Sequence, residues 1–452
     1  MRRIHTYFII IALVTGAVNR GLSQEVATPL SMQACMDYAL QHNYNIKNSQ
    51  LDVLIQDAQN KQTLAAAYPH INGKAELDDY LNPQKTFIDA SSFPGSTAPE
   101  GTIIGFPFAI PYAGTASVSA SQLLFDGSVF VAVKARNTLI ELSKLNGAVT
   151  EETIRYNVYK AYNSLVITYR QYDIIKQSLS FARSLEHDMM VTRDNGLAEK
   201  IDVERTSVQV NNLASDSISI GNLLTTSEQM LKYQIGMNLN TPIILTDTAL
   251  EERKQNTISL LNEAEDYDKV PEYNVLKTSL KLNEYNLMRY HYAGLPALNI
   301  FGAMGYNYAA DKFSQIMNPT NYAFNSMVGL QLNVAIFNGF LRQNQVTEAK
   351  LNIEKSKNSI EYLKQSLDFQ AATSRTTVKN NLLQVQSQKR NMELATDVLE
   401  LAQKKYKAGV GSNLEVTQAQ TDLLRAQTNY FSALLDLINA QADLKKALGL
   451  LK

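Results

Sequence analysis

The side chains that most often carry catalysis are too dispersed in this sequence to act together. The five histidines, His5, His42, His70, His187 and His291, never stand three or four residues from a partner ligand. Spacing therefore assembles neither a metal site nor a nucleophile with its base. Gly409-Val410-Gly411 lacks the third glycine and the preceding strand of a dinucleotide fingerprint, and Asp194-Asn195-Gly196 is turn chemistry. The single cysteine, Cys35, closes no intramolecular disulfide and reads as a small buried hydrophobe. No enzymatic activity, metal or cofactor is expected. What remains is backbone: small-residue turns at Gly196-Leu197-Ala198 and Gly409-Val410-Gly411-Ser412, which cap helices and leave main chain exposed.

The elements around those turns are duplicated. Leu124-Phe125-Asp126-Gly127 precedes Gly196 and Gly236, and Ile336-Phe337-Asn338-Gly339 precedes Gly409 and Gly449, with matched glycines 212, 213 and 213 residues apart. Two repeats, about 31–236 and 272–449, are joined by a linker at about 237–270. Between Gly127 and Gly196, and between Gly339 and Gly409, there is no proline. A continuous helix of that length reaches about 100 Å, too long for a compact domain or an ordinary membrane span. The spacing of Met392, Ala395, Leu399, Ala402 and Tyr406 predicts an irregular coiled-coil seam, continued by Leu434, Ile438 and Gln441.

Upstream of each long helix, one segment from Ser31 to Tyr68 and another from Glu272 to Leu295 read as helices stopped by Pro69 and Pro296. After each proline the period becomes two, which predicts strands at about 70–82, 113–125, 298–309 and 326–337, in two hairpins. The hairpin loops, roughly Asn82 to Tyr112 and Ala309 to Asn325, are long. Long loops on one side and short turns on the other suit a membrane barrel, and Tyr80, Phe125, Phe301, Tyr306, Tyr308 and Phe337 are placed for an interfacial belt. A soluble sheet packed on helices is the competing reading.

Residues 1–24, with Arg2 and Arg3 before Phe8-Ile9-Ile10-Ile11-Ala12-Leu13-Val14, read as a secretory signal peptide. Without Arg2, Arg3 and Arg20 the formal charge of −1 becomes about −4, which argues against a nucleic-acid partner. No later run of about 20 apolar residues provides a transmembrane helix, so any return to a membrane is made by strands. Four strands cannot close a lipid-spanning sheet. Two chains give eight strands, three give twelve, and only the larger count leaves a lumen.

The repeated order of helix, proline, hairpin, Leu-Phe-Asp-Gly, long helix, glycine turn and second helix resembles the TolC-like outer-membrane efflux proteins over essentially the whole mature chain. Gly196-Leu197-Ala198-Glu199-Lys200-Ile201-Asp202-Val203 and Tyr406-Lys407-Ala408-Gly409-Val410-Gly411-Ser412-Asn413-Leu414-Glu415-Val416 carry the resemblance. It implies a mainly α fold with a small β part: a long coiled-coil α-helical barrel, plus four β-strands per chain in a shared twelve-stranded trimeric transmembrane β-barrel. The linker would contribute to an equatorial belt.

The location implied is the cell outer membrane, with the helical part in the periplasm. The partners implied are two further copies, outer-membrane lipid, a periplasmic membrane-fusion adaptor and an inner-membrane transporter of RND, ABC or MFS type. Adaptor hairpins would dock on Gly196, Leu197, Ala198, Gly409, Val410, Gly411 and Ser412. Asp202 and Tyr406 fall where the family's aperture links sit, and Glu415 where an aperture acid sits. Gly411 replaces an arginine of that link, and Gln418 stands where a second acid would be. The expected function is passive exit of small molecules through a tripartite pump. Type I protein secretion and a soluble periplasmic coiled-coil scaffold remain the alternatives.

Overall fold

The computed structural model describes residues 28–92, 94–95, 97–107, 110–247 and 257–451. The expected signal peptide, residues 1–24, lies outside them. The chain divides into two compact units that do not follow the repeats. One takes the described part up to Tyr44 with Thr153–Asn262 and Ser374–Asp443; the other takes Asn45–Glu152, Glu263–Thr373 and Leu444–Lys452. Each unit thus draws on both copies. Two uninterrupted helices, α3 (Gly127–Asp194, 68 residues) and α7 (Leu341–Lys407, 67 residues), contribute to both.

In the second unit four antiparallel strands, β2 (His70–Asp79), β5 (Tyr112–Phe125), β7 (Ala297–Ala310) and β8 (Tyr322–Asn333), form one sheet in the order β2-β5-β7-β8. Pairing between β5 and β7 joins the two hairpins, and β2 and β8 end the sheet. Paired residues share a face, so the register sorts the side chains. One face carries Asn72, Lys74 and Glu76 beside Ser119, Ser117 and Thr115, then Asn307 and Asn325. The other carries Ile71, Val118, Met304, Val328, Leu330 and Leu332, all exposed. At its loop end lie the cross-strand pairs Tyr306/Phe324 and Tyr308/Tyr322, with ring centroids 5.3 and 5.2 Å apart.

Phe301 differs from expectation. Its register partners Ser121 and Gly329 put it on the polar face, where its ring covers Gly329; a Cβ there would meet Phe301 Cζ at 2.8 Å. The first long loop is not wholly irregular either, since β3 (Lys85–Asp89) and β4 (Ile103–Pro107) form a ribbon within it.

The two strand-to-helix corners differ. At the first, Asp126 Oδ1 accepts from Ser128 N at 2.8 Å, and Gly127 sits where a Cβ would lie 2.7 Å from Tyr292 O. At the second, Gly339 has φ +64° with nothing near its missing Cβ, and Phe340 shares that left-handed conformation. Ile336, Phe337, Phe340 and Leu341 are exposed there.

In the first unit, β1 (Thr28–Leu30) and β6 (Ile243–Leu245) pair in parallel, and buried Tyr162 bonds through its hydroxyl to Leu30 O and Asp247. The segment expected as one helix from Ser31 to Tyr68 is two, α1 (Met32–His42) and α2 (Tyr44–Ala65). Asn43 breaks it in an extended conformation and donates Nδ2 to Gln234 O at 2.7 Å. Cys35 is fully buried, and burial pushes its thiol up to about 12. The linker region contributes β6 and α5 (Thr257–Leu261) to this unit, and its residues 248–256 lie outside the described ones. α6 (Pro271–Tyr292) opens the second repeat with proline at its first position.

Candidate functional site at the helix turns

Two equivalent turns lie in the first unit, one between α3 and α4 (Lys200–Ile235), the other between α7 and α8 (Asn413–Ala447). Each helix ends in a glycine with left-handed φ, +77° at Gly196 and +76° at Gly409. Leu197 N then donates to Thr192 O, and Val410 N to Lys405 O, both at 3.0 Å. This six-to-one closure satisfies carbonyls that a helix end leaves free, and the residue after the glycine normally packs back on the helix. Here it does not: Leu197 is 81% and Val410 78% exposed. Both turns therefore present a bare aliphatic side chain at their apex, with Ala198 half-buried behind one of them. A Cβ on Gly411 would lie 2.9 Å from Tyr406 N, so that position needs glycine for close backbone approach.

Ser412 begins α8 with its Oγ accepting from Glu415 N at 3.2 Å. Ser412 and Glu415 are the first and last members of a capping-box spacing, visible in the sequence but not identified there. Glu415 thus also sits over the positive end of the helix. Its repeat counterpart is Asp202, which stands 3.8 Å from Arg205.

The four aperture residues separate into two pairs. Tyr406 faces α3 and α4. Burial, then the carboxylates of Asp188 and Asp202, raise its pKa and keep the phenol protonated. Its hydroxyl contacts Met189 Sδ at 3.0 Å rather than Asp202. Glu415 and Gln418 instead line an open cleft of about 460 Å³ between α7 and α8, with Lys405, Asp422 and aliphatic Val398, Leu401 and Leu414. Gln418 Nε2 donates to both oxygens of Asp422, at 3.2 and 3.1 Å. Lys405 and Asp422 are site members that spacing does not single out, as a lone charge on a helix looks merely solvated.

Packing holds these pairs in place. Leu399, Ala402, Val416, Ala419 and Leu423 bury against Leu185, with Tyr406 at the edge. Buried Asn413 donates Nδ2 to Thr206 Oγ1 at 2.9 Å across to α4, leaving its Oδ1 without a partner. Gln420 reaches Ser178 at 3.0 Å in the same interior.

Residues 293–450 match the family of outer membrane efflux proteins. The chain is 22% identical over 358 residues to the outer membrane protein TolC of Salmonella enteritidis, covering 75% of this chain and 69% of that one. Over residues 293–450, about the last third, the chain is similar to the outer membrane efflux proteins. Its fold is similar to the Campylobacter jejuni CmeC outer membrane channel, with a TM-score of 0.69, 16% identity and coverage of 92% and 85%. The Neisseria gonorrhoeae MtrE outer membrane channel, in its open state, gives 0.67, 17% identity and coverage of 92% and 88%. Among the described residues no helix is long and apolar enough to cross a membrane, and no His, Cys, Asp and Glu gather into a metal site.

Proposed function

We propose that this protein is the passive exit duct of a tripartite export system for small molecules, acting as a homotrimer. One observation carries the reading: a four-stranded sheet with one polar face, one apolar face and two unpaired edges. In hydrocarbon, open edges leave amides unsatisfied, and a single copy is too narrow to close. Three copies supply twelve strands, with Ile71, Val118 and Val328 toward lipid and Lys74, Glu76 and the serines of β5 toward a lumen. The aromatic pairs of β7 and β8 suit one membrane interface.

The turns at Gly196-Leu197-Ala198 and Gly409-Val410-Gly411-Ser412 are the docking points of a periplasmic adaptor. Exposed Leu197 and Val410 give it an apolar grip, and an inner-membrane transporter supplies the energy. Three copies of Glu415 around an axis form an anionic constriction, with Asp202, Tyr406 and Gln418 setting its packing.

The test is native mass spectrometry of the detergent-purified protein together with planar-bilayer recording. Three copies and discrete channels are expected. A water-soluble single copy without conductance overturns the reading.

A further inference from the structure

The second unit contains a cleft of about 370 Å³ walled by α2, α3 and α6. Its walls are mainly aliphatic, from Leu64, Val131, Leu139 and Leu282, and two guanidinium groups, Arg136 and Arg289, border it. No carboxylate lines the cleft. Among the described residues neither arginine has an acidic partner; Arg289 only lies over the Tyr290 ring, 5.0 Å from its centroid. The cleft is held in shape from beneath. Buried Asn60 donates Nδ2 to Arg136 O at 3.1 Å and accepts from Gln56 at 3.2 Å, which ties α2 to α3.

Its place along the chain is informative. Leu64 comes shortly before β2, Val131 to Leu139 shortly after β5, and Arg289 shortly before β7. All three helices therefore reach the cleft from the same end of the sheet, within about 20 Å of the strands at 1.5 Å rise per residue. Two unpaired guanidinium groups are a fit for a phosphate, which they hold by forked, charge-assisted hydrogen bonds. The aliphatic wall suits hydrocarbon. A small soluble anion would use only the arginines, and a neutral apolar molecule only the wall.

We infer that this cleft binds an anionic glycerophospholipid from the bilayer leaflet that borders the helix-side end of the sheet. The phosphate lies between Arg136 and Arg289, and the upper part of one acyl chain lies against Val131 and Leu282. Such a lipid fixes the depth at which the sheet sits, because each basic group near a charged leaflet adds to surface attraction. The inference rests on the membrane-spanning reading of the sheet.

The test is lipid retention by native mass spectrometry of the full chain in a neutral maltoside detergent, with added dioleoyl phosphatidylglycerol, dioleoyl phosphatidylcholine or laurate. Phosphatidylglycerol is expected to be retained at least tenfold over phosphatidylcholine. Arg136→Gln with Arg289→Gln should abolish that preference, and Ala132→Phe should reduce retention at unchanged charge. Arg289→Gln alone, a change at an exposed side chain, should weaken it several-fold if the double variant fails to fold. Equal retention of the two phospholipids, undiminished retention by Arg289→Gln or the double variant, or retention of laurate without phosphatidylglycerol overturns the assignment. Failure of the membrane reading would look different: the protein would remain soluble and single-copy without detergent.

Discussion

Four glycines end four helices in one left-handed conformation, yet they answer to different constraints. At Gly196 and Gly409 a Cβ would meet nothing within 4 Å, so glycine is needed for its φ alone. At Gly236 a Cβ would lie 2.9 Å from His42 O, and at Gly449 2.7 Å from Lys269 O. Gly409→Ala should therefore cost about 1–2 kcal/mol, the penalty of left-handed backbone. Gly236→Ala should cost about 2–4 kcal/mol, because a clash with main chain is added. Thermal unfolding of both variants ranks them, and equal losses would contradict the geometry.

Glu152 makes a second prediction at this scale. It is only 6% exposed. Burial raises its pKa from 4.5 to about 7, with Lys446 opposing and Glu272 adding to the shift. Between those values the folded chain holds a proton that the unfolded chain has lost, so stability falls as pH rises from 4.5 through 7. Glu152→Gln should thus stabilise the protein at pH 8, by something on the order of 1–3 kcal/mol, and change little at pH 4, as melting curves at the two pH values would reveal. The glycines are legible in the sequence because the repeat marks them twice. Glu151-Glu152 looks like solvated charge, and nothing local tells which of two adjacent acids turns inward.

At the scale of elements, the β sheet makes the sharper claim. Val328 lies on the apolar face and Ser119 on the polar one. Val328→Lys should lower stability by about 2–4 kcal/mol near a bilayer midplane and deplete the protein from outer-membrane fractions. Ser119→Lys should leave that fraction intact. Equal behaviour of the two variants would remove the assignment of faces. Alternation over ten or more residues makes these four strands visible in the sequence, although the last, expected at about 326–337, runs from Tyr322 to Asn333, because the apolar alternation continues through Val334 and Ile336 beyond the last paired residue. The β1 and β6 pair, three residues each, and the five-residue β3 and β4 are too short to show a period. The break at Asn43 is hidden for another reason. No proline or glycine marks it, and the interaction that stabilises it comes from Gln234, 191 residues away. The aperture is only partly readable too: motif position locates Glu415 and Gln418, but that they share a cleft with Lys405 and Asp422 depends on how α7 and α8 pack.

For the molecule as a whole, sequence repeats and compact units turn out to be different partitions. The duplication is read along the chain, whereas each unit collects corresponding ends of both copies. Long helices allow this, because α3 and α7 belong to both units. If three chains surround one axis, Glu415→Gln removes three charges from a single ring. Single-channel reversal potentials should then lose cation preference, and unchanged selectivity would take Glu415 out of the constriction.

The unlike strand-to-helix corners bear on the symmetry of such a trimer. One corner is pinned, by Asp126 and by Gly127 pressed on Tyr292 O; the other is open, with Gly339 and Phe340 in left-handed backbone and Phe337 against Phe340. A hexagon drawn from the repeats would have six equal vertices. If three chains close around one axis, the two unlike corners of this chain would alternate, so the vertices of that hexagon would repeat three times rather than six.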